Sequence, residues 1–123
     1  MSIYLIHCSC PDEAKAKEIG RELVKRQLAA CVSILPIVAS IYQWEGEVQE
    51  ESEVLMLIKS HQCKISELEE LLMTLHPYET PEFLVTPVTH ASSGYARWID
   101  EVLNLNPKSS PSAPVKPHHQ GEG

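Results

Sequence analysis

Apolar residues fill the middle of this chain with little polar interruption. Between Leu28 and Lys59, Val32, Ile34, Leu35, Ile37, Val38, Ile41 and Tyr42 occupy both odd and even positions, and Val54 to Ile58 run without a break. Successive side chains of a strand point to opposite faces, so this pattern predicts strands buried on both sides. Trp44-Glu45-Gly46-Glu47 divides the segment into two long strands joined as a hairpin. Pro36 cannot donate to a ladder and marks a bend or bulge in the first of them.

The flanking segments change period. Residues 2–8 are rich in strand formers and give a first strand. Pro11-Asp12-Glu13 opens a helix, with proline and acids where orphan N–H groups and the helix dipole favour them. Ala16, Ile19, Gly20 and Leu23 form its inward stripe. A second helix is predicted over 62–75, with Ile65, Leu68, Leu72 and Leu75 on one face and Glu67, Glu69 and Glu70 in solvent. It stops at His76-Pro77, because a residue before proline avoids the helical region. Residues 82–88 form a fourth strand, and Tyr95, Trp98, Ile99 and Val102 mark a closing helix.

The order is βαββαβ plus a terminal helix, an α+β ferredoxin-like sandwich in which both main helices cover one face of a four-stranded antiparallel sheet. The other face is then bare, yet every strand is apolar on both parities. That exposes more apolar surface than soluble monomers carry, and predicts packing against further copies of the chain, in a number the pattern does not set. The domain spans 1–106. Residues 107–123, rich in Pro, Ser and Gly, are expected to be disordered, and His118 and His119 within them are given no role.

Composition narrows the function. A chain of 123 residues suits one domain, and 43% hydrophobic residues are enough for a core. The net charge of −7 disfavours nucleic acid and anionic membranes as partners. No apolar run approaches the roughly 20 residues of a membrane span. Cys8, Cys10, Cys31 and Cys63 do not form a dense framework and are read as reduced thiols of a cytoplasmic protein.

Three groups could carry chemistry. Cys8 and Cys10 stand two apart on a strand, so both sulfurs share a face, a pairing suited to Cu(I) or Zn(II) but without the second cysteine pair of a closed site. Two small residues ending a strand is the plainer reading of that pair. His76-Pro77-Tyr78-Glu79-Thr80-Pro81-Glu82 concentrates a histidine, a phenol and carboxylates in a loop stiffened by two prolines, which suits either a binding site or a shaped connector ending in a helix-terminal cation. Glu45, Glu47, Glu50, Glu51 and Glu53 read as a solvated hairpin that protects a strand edge. No phosphate loop and no Gly-x-Ser-x-Gly elbow is present. Cys8 with His76 lacks any recognisable oxyanion hole. The chain is therefore read as a binding protein with no catalytic residue.

LAACVSI, SIYQWEGEVQEESEVLMLIK, HPYETPE and the closing YARWI together resemble the CutA family of divalent-cation tolerance proteins, from residue 3 to about residue 104. The resemblance implies a tight homotrimer whose hairpin strands cross subunit boundaries, a cytoplasmic location, and tolerance to copper and other divalent metals, with copper binding in the family. By matching motifs, Cys8 and His76 are the expected metal ligands. Copper-binding members carry a second histidine just before the one matching His76. Here that position is Leu75, which cannot coordinate, and Cys10 is a candidate substitute. Likeness to PII-type signalling trimers gives the alternative, a small-ligand or partner-binding module with a cleft between subunits lined by Tyr42, Trp44, His76, Tyr78, Glu79 and Trp98.

Overall fold

Local signals set each element where hydrophobic periodicity alone left the ends open. The computed structural model describes residues 2–105, so His118, His119 and the rest of the expected tail lie outside the described residues. Strand β1 covers Ile3–Cys10, two residues past its expected end, and helix α1 covers Glu13–Lys25. The Asp12 carboxylate caps α1 by accepting from the Lys15 N–H at 2.8 Å. Strands β2 (Cys31–Trp44) and β3 (Glu47–His61) form the long hairpin, and a 3-10 turn at Gln62–Lys64 leads into helix α2 (Ile65–Leu75). The second helix is thus α-helical only from Ile65; its first turn is tighter and is capped by the His61 ring accepting from the Cys63 N–H. Strand β4 (Leu84–Pro87) and helix α3 (Ser93–Val102) complete the chain.

The sheet order is β2-β3-β1-β4, with antiparallel pairing throughout. This is the expected ferredoxin-like topology. At the hairpin tip Trp44 pairs with Glu47, and Glu45 and Gly46 both have positive φ, as a two-residue turn matched to strand twist requires. The ladder slips between Leu35 and Val38, so one extra residue sits at Pro36-Ile37, where the missing N–H predicted a bulge. β1 ends opposite Val54, next to this bulge. The hairpin beyond it, from Val38 and Glu53 to the tip, has no third strand beside it among the described residues.

Even-numbered positions face the helices. Ile6, Cys8 and Cys10 of β1 and Met56 and Ile58 of β3 pack with Ile19 and Leu23 of α1 and Leu68 and Leu72 of α2, all fully buried. Full burial of such side chains contributes about 1.5–3 kcal/mol each. The expected inward stripes of α1 and α2 match this core, with Ile65 and Leu75 partly buried at its margin. The opposite face was expected to be bare. α3 covers one end of it: Ile99 and Leu103 pack on Ile3 and Ala30, with Tyr95 and Trp98 alongside. The rest, including His7, Leu55 and Leu57, is half-buried, and Leu84 is exposed.

β4 is shorter than the expected 82–88. It pairs only with Tyr4 to His7 of β1, so Cys8-Ser9-Cys10 has β3 on one side and no strand on the other. The loop after α2 fills that place.

Candidate metal centre and an adjoining groove

Three elements bring the candidate ligands together. Cys8 and Cys10 lie on the helix-facing side of β1 at its carboxyl end, and Pro77 stops α2 so that His76 leaves the helix in an extended conformation. Its N–H still closes the last helical bond, to the Leu72 carbonyl at 2.9 Å. The ring turns back over β1. Its Nε2 donates to the Ser9 carbonyl at 2.7 Å, at the point where β4 has ended. Its Nδ1 accepts from the Tyr78 N–H at 3.1 Å. One nitrogen donates and the other accepts, which fixes the neutral ring in one tautomer. His76 is therefore held as a buried, hydrogen-bonded imidazole rather than as a helix-terminal cation.

The Sγ atoms of Cys8 and Cys10 and a ring nitrogen of His76 all lie within 4.8 Å of one another, and all three residues are buried. Cys10 Sγ is 3.7 Å from His76 Nε2 and 3.4 Å from Met56 Sδ. The hydrogen bond between the two thiols pushes Cys8 up from the ordinary thiol range and Cys10 down; burial and the Glu53 carboxylate oppose ionisation of both. Two thiols and an imidazole at this spacing are a soft donor set that fits Cu(I) or Zn(II), whose bonds to sulfur and nitrogen are roughly 2.0–2.3 Å long. Coordination through Nε2 requires the other tautomer and the loss of the Tyr78 N–H bond, so metal entry competes with a hydrogen-bonded resting state.

The same loop walls a groove of about 680 Å3. Tyr42 and Trp44 from β2, Glu51 from β3, and Tyr78, Glu79 and Glu82 from the loop line it. Four of the expected cleft residues, Tyr42, Trp44, Tyr78 and Glu79, therefore meet within one chain. His76 sits behind them, its ring 4.9 Å from that of Tyr78. Trp98 of the same chain packs instead beside Tyr95 in the cluster under α3. Tyr42 is held above the usual phenol range by its hydrogen bond to Glu51, and Tyr78 by burial and then by its bond to Glu53.

Two contributors escaped sequence reading. Met56 is an ordinary core residue until the β1–β3 register sets it opposite Cys8. Glu53 was taken as part of a solvated acidic run, but it is only 8% exposed and accepts the Tyr78 hydroxyl at 2.8 Å. Nothing in the run EVQEESE separates it from its neighbours. Cys31 is half-buried with the Lys59 ammonium 3.9 Å from its sulfur, and Cys63 is exposed at the start of the 3-10 turn; neither approaches the site.

Residues 4–102 match the family profile described as CutA1 divalent ion tolerance protein. A CutA homolog of Xenopus laevis is 38% identical over 102 residues, covering 83% of this chain and 68% of that protein. The crystal structure of CutA from Xylella fastidiosa superposes with a TM-score of 0.82 at 36% identity, covering 84% of this chain and 99% of that one. A periplasmic divalent cation tolerance protein CutA from Archaeoglobus fulgidus superposes with a TM-score of 0.80 at 29% identity, covering 82% and 98%. The chain spans 56–68% of the length of the vertebrate relatives it matches. On the profile match over most of its length, and on the shared fold, the chain belongs to the CutA1 divalent ion tolerance protein family.

Proposed function

We propose that this protein binds copper through Cys8, Cys10 and His76 and acts in tolerance of divalent metal ions as a homotrimer, with no catalytic activity of its own. The observation that carries the metal reading is the convergence of three buried ligand atoms within 4.8 Å, the one such group of three or more among the described residues. Leu75 is partly buried against the core, so Cys10 supplies the third donor that Leu75 cannot. Two thiolates favour the cuprous state, since soft ligands suit Cu(I). The free thiols fit a reducing compartment, which favours the cytoplasm for this chain although one structural relative is described as periplasmic. Among the described residues no helix is long and apolar enough to cross a membrane.

Competition of the purified protein against a chromophoric Cu(I) chelator tests the assignment. One ion per chain is expected, with affinity falling at least tenfold in each of Cys8→Ser, Cys10→Ser and His76→Ala. Unchanged affinity in all three would remove the ligands. The groove supports a second reading, a small-ligand module of the PII type.

A further inference from the structure

We propose that the groove beside the metal centre is a binding site for a chain-like organic cation of the diamine or polyamine class. Its walls set the sign of the ligand. Glu51, Glu79 and Glu82 line it and no Lys, Arg or His does. Behind its floor, Glu53 is 92% buried, gives one carboxylate oxygen to the Tyr78 hydroxyl, and forms no salt bridge among the described residues. Three carboxylates and no cationic side chain along its walls give the groove a negative potential. The net charge of −7 adds to it at longer range.

The spacing of the carboxylates then separates an organic cation from a metal ion. Chelation of one ion needs several oxygens around a single point. Among the described residues Cys8, Cys10 and His76 form the one group of three or more placed to hold a metal ion, so Glu51, Glu79 and Glu82 form no chelating trio. Carboxylates that do not converge suit charges separated by a methylene chain. Tyr42 and Trp44, 40% and 61% exposed on the hairpin beyond the bulge, offer aromatic faces to the ammonium groups and to the carbons between them. A volume of about 680 Å3 lies within the range of small-molecule sites.

The chain has two tryptophans, so Trp98→Phe leaves Trp44 as the only indole and a reporter inside the groove. In that background, 1,5-diaminopentane and spermidine should quench Trp44 fluorescence saturably and raise the melting temperature. 1,5-Pentanediol, the uncharged isostere, should do neither. Glu79→Gln/Glu82→Gln, at exposed positions, should weaken diamine binding at least tenfold. A metal chelator added to the Trp98→Phe protein should leave diamine binding intact, which keeps the outcome independent of the copper reading. Equal binding of the diol, unaltered affinity in the double variant, or absence of saturation with either amine would overturn the proposal. Equal competition by magnesium would also overturn it, since it would reveal a diffuse acidic field rather than a site.

Discussion

Tyr78 ties the two halves of the site together. Its N–H fixes the tautomer of His76, its ring lies against that imidazole at a tilt of 52°, and its hydroxyl satisfies Glu53. Removing that hydroxyl strands a buried carboxylate, a loss of about 1–3 kcal/mol. Tyr78→Phe should therefore lower the unfolding free energy by that amount, read as a lower urea midpoint at constant slope, and Glu53→Leu/Tyr78→Phe should lose less than the sum of the single changes, because partners in contact are not additive. Additive losses would show that the bond is not a coupled pair. At this scale the sequence was legible where a motif compresses the chemistry. The HPYETPE loop supplied His76, Tyr78, Glu79 and Glu82 in one stretch, and strand parity placed Cys8 and Cys10 on one face. Met56 and Glu53 come from β3, and only the register of a pairing dozens of residues apart brings them in. Within one chain Trp98 lies apart from the groove, on α3, whose apolar stripe packs onto Ile3 and Ala30.

Elements were legible in kind and less so at their ends. The 3.6-residue stripe of α1 and the unbroken run of β3 each match what burial selected. What sequence left open was how helices stop. α1 ends with Gln27 in the left-handed region at φ 59°, Leu28 N–H bonded to the Leu23 carbonyl and Gln27 N–H to that of Val24. α3 repeats the arrangement at Asn104, with Leu105 bonded to Asp100. These are Schellman closures, for which glycine is the usual signal, and neither position holds one. A non-glycine residue in that region costs roughly 1–2 kcal/mol, offset in part by the larger unfolded-state entropy of glycine. Gln27→Gly should thus raise stability by about 0.5–1 kcal/mol, read as a higher urea midpoint at constant slope. A lower midpoint would contradict the closure as described.

At the level of the whole molecule, the surplus of apolar residues lies partly where the pattern put it. The open sheet face retains Leu55, Leu57 and Leu84, but α3 closes one end of it. The larger exposure is on the hairpin at and past the bulge, where Ile37 is 78% and Val48 76% exposed. A pattern read in one dimension shows that strands are apolar on both sides, without showing that β2 and β3 outrun β1. Association through this arm should give a light-scattering mass three times the 13.8 kDa of the chain. Ile37→Glu/Val48→Glu should lower that mass toward one chain while far-UV dichroism stays unchanged; a trimer surviving the double change would place the contact elsewhere. The proposed metal centre, by contrast, draws its three ligands from one chain, so its ligand set should be the same in either state. Copper K-edge absorption of the Cu(I)-loaded protein tests that centre most directly. A first shell of two sulfurs and one imidazole nitrogen, falling to one sulfur in Cys10→Ser, is the predicted result. A first shell of oxygen and nitrogen alone, or one unchanged by the substitution, would contradict it.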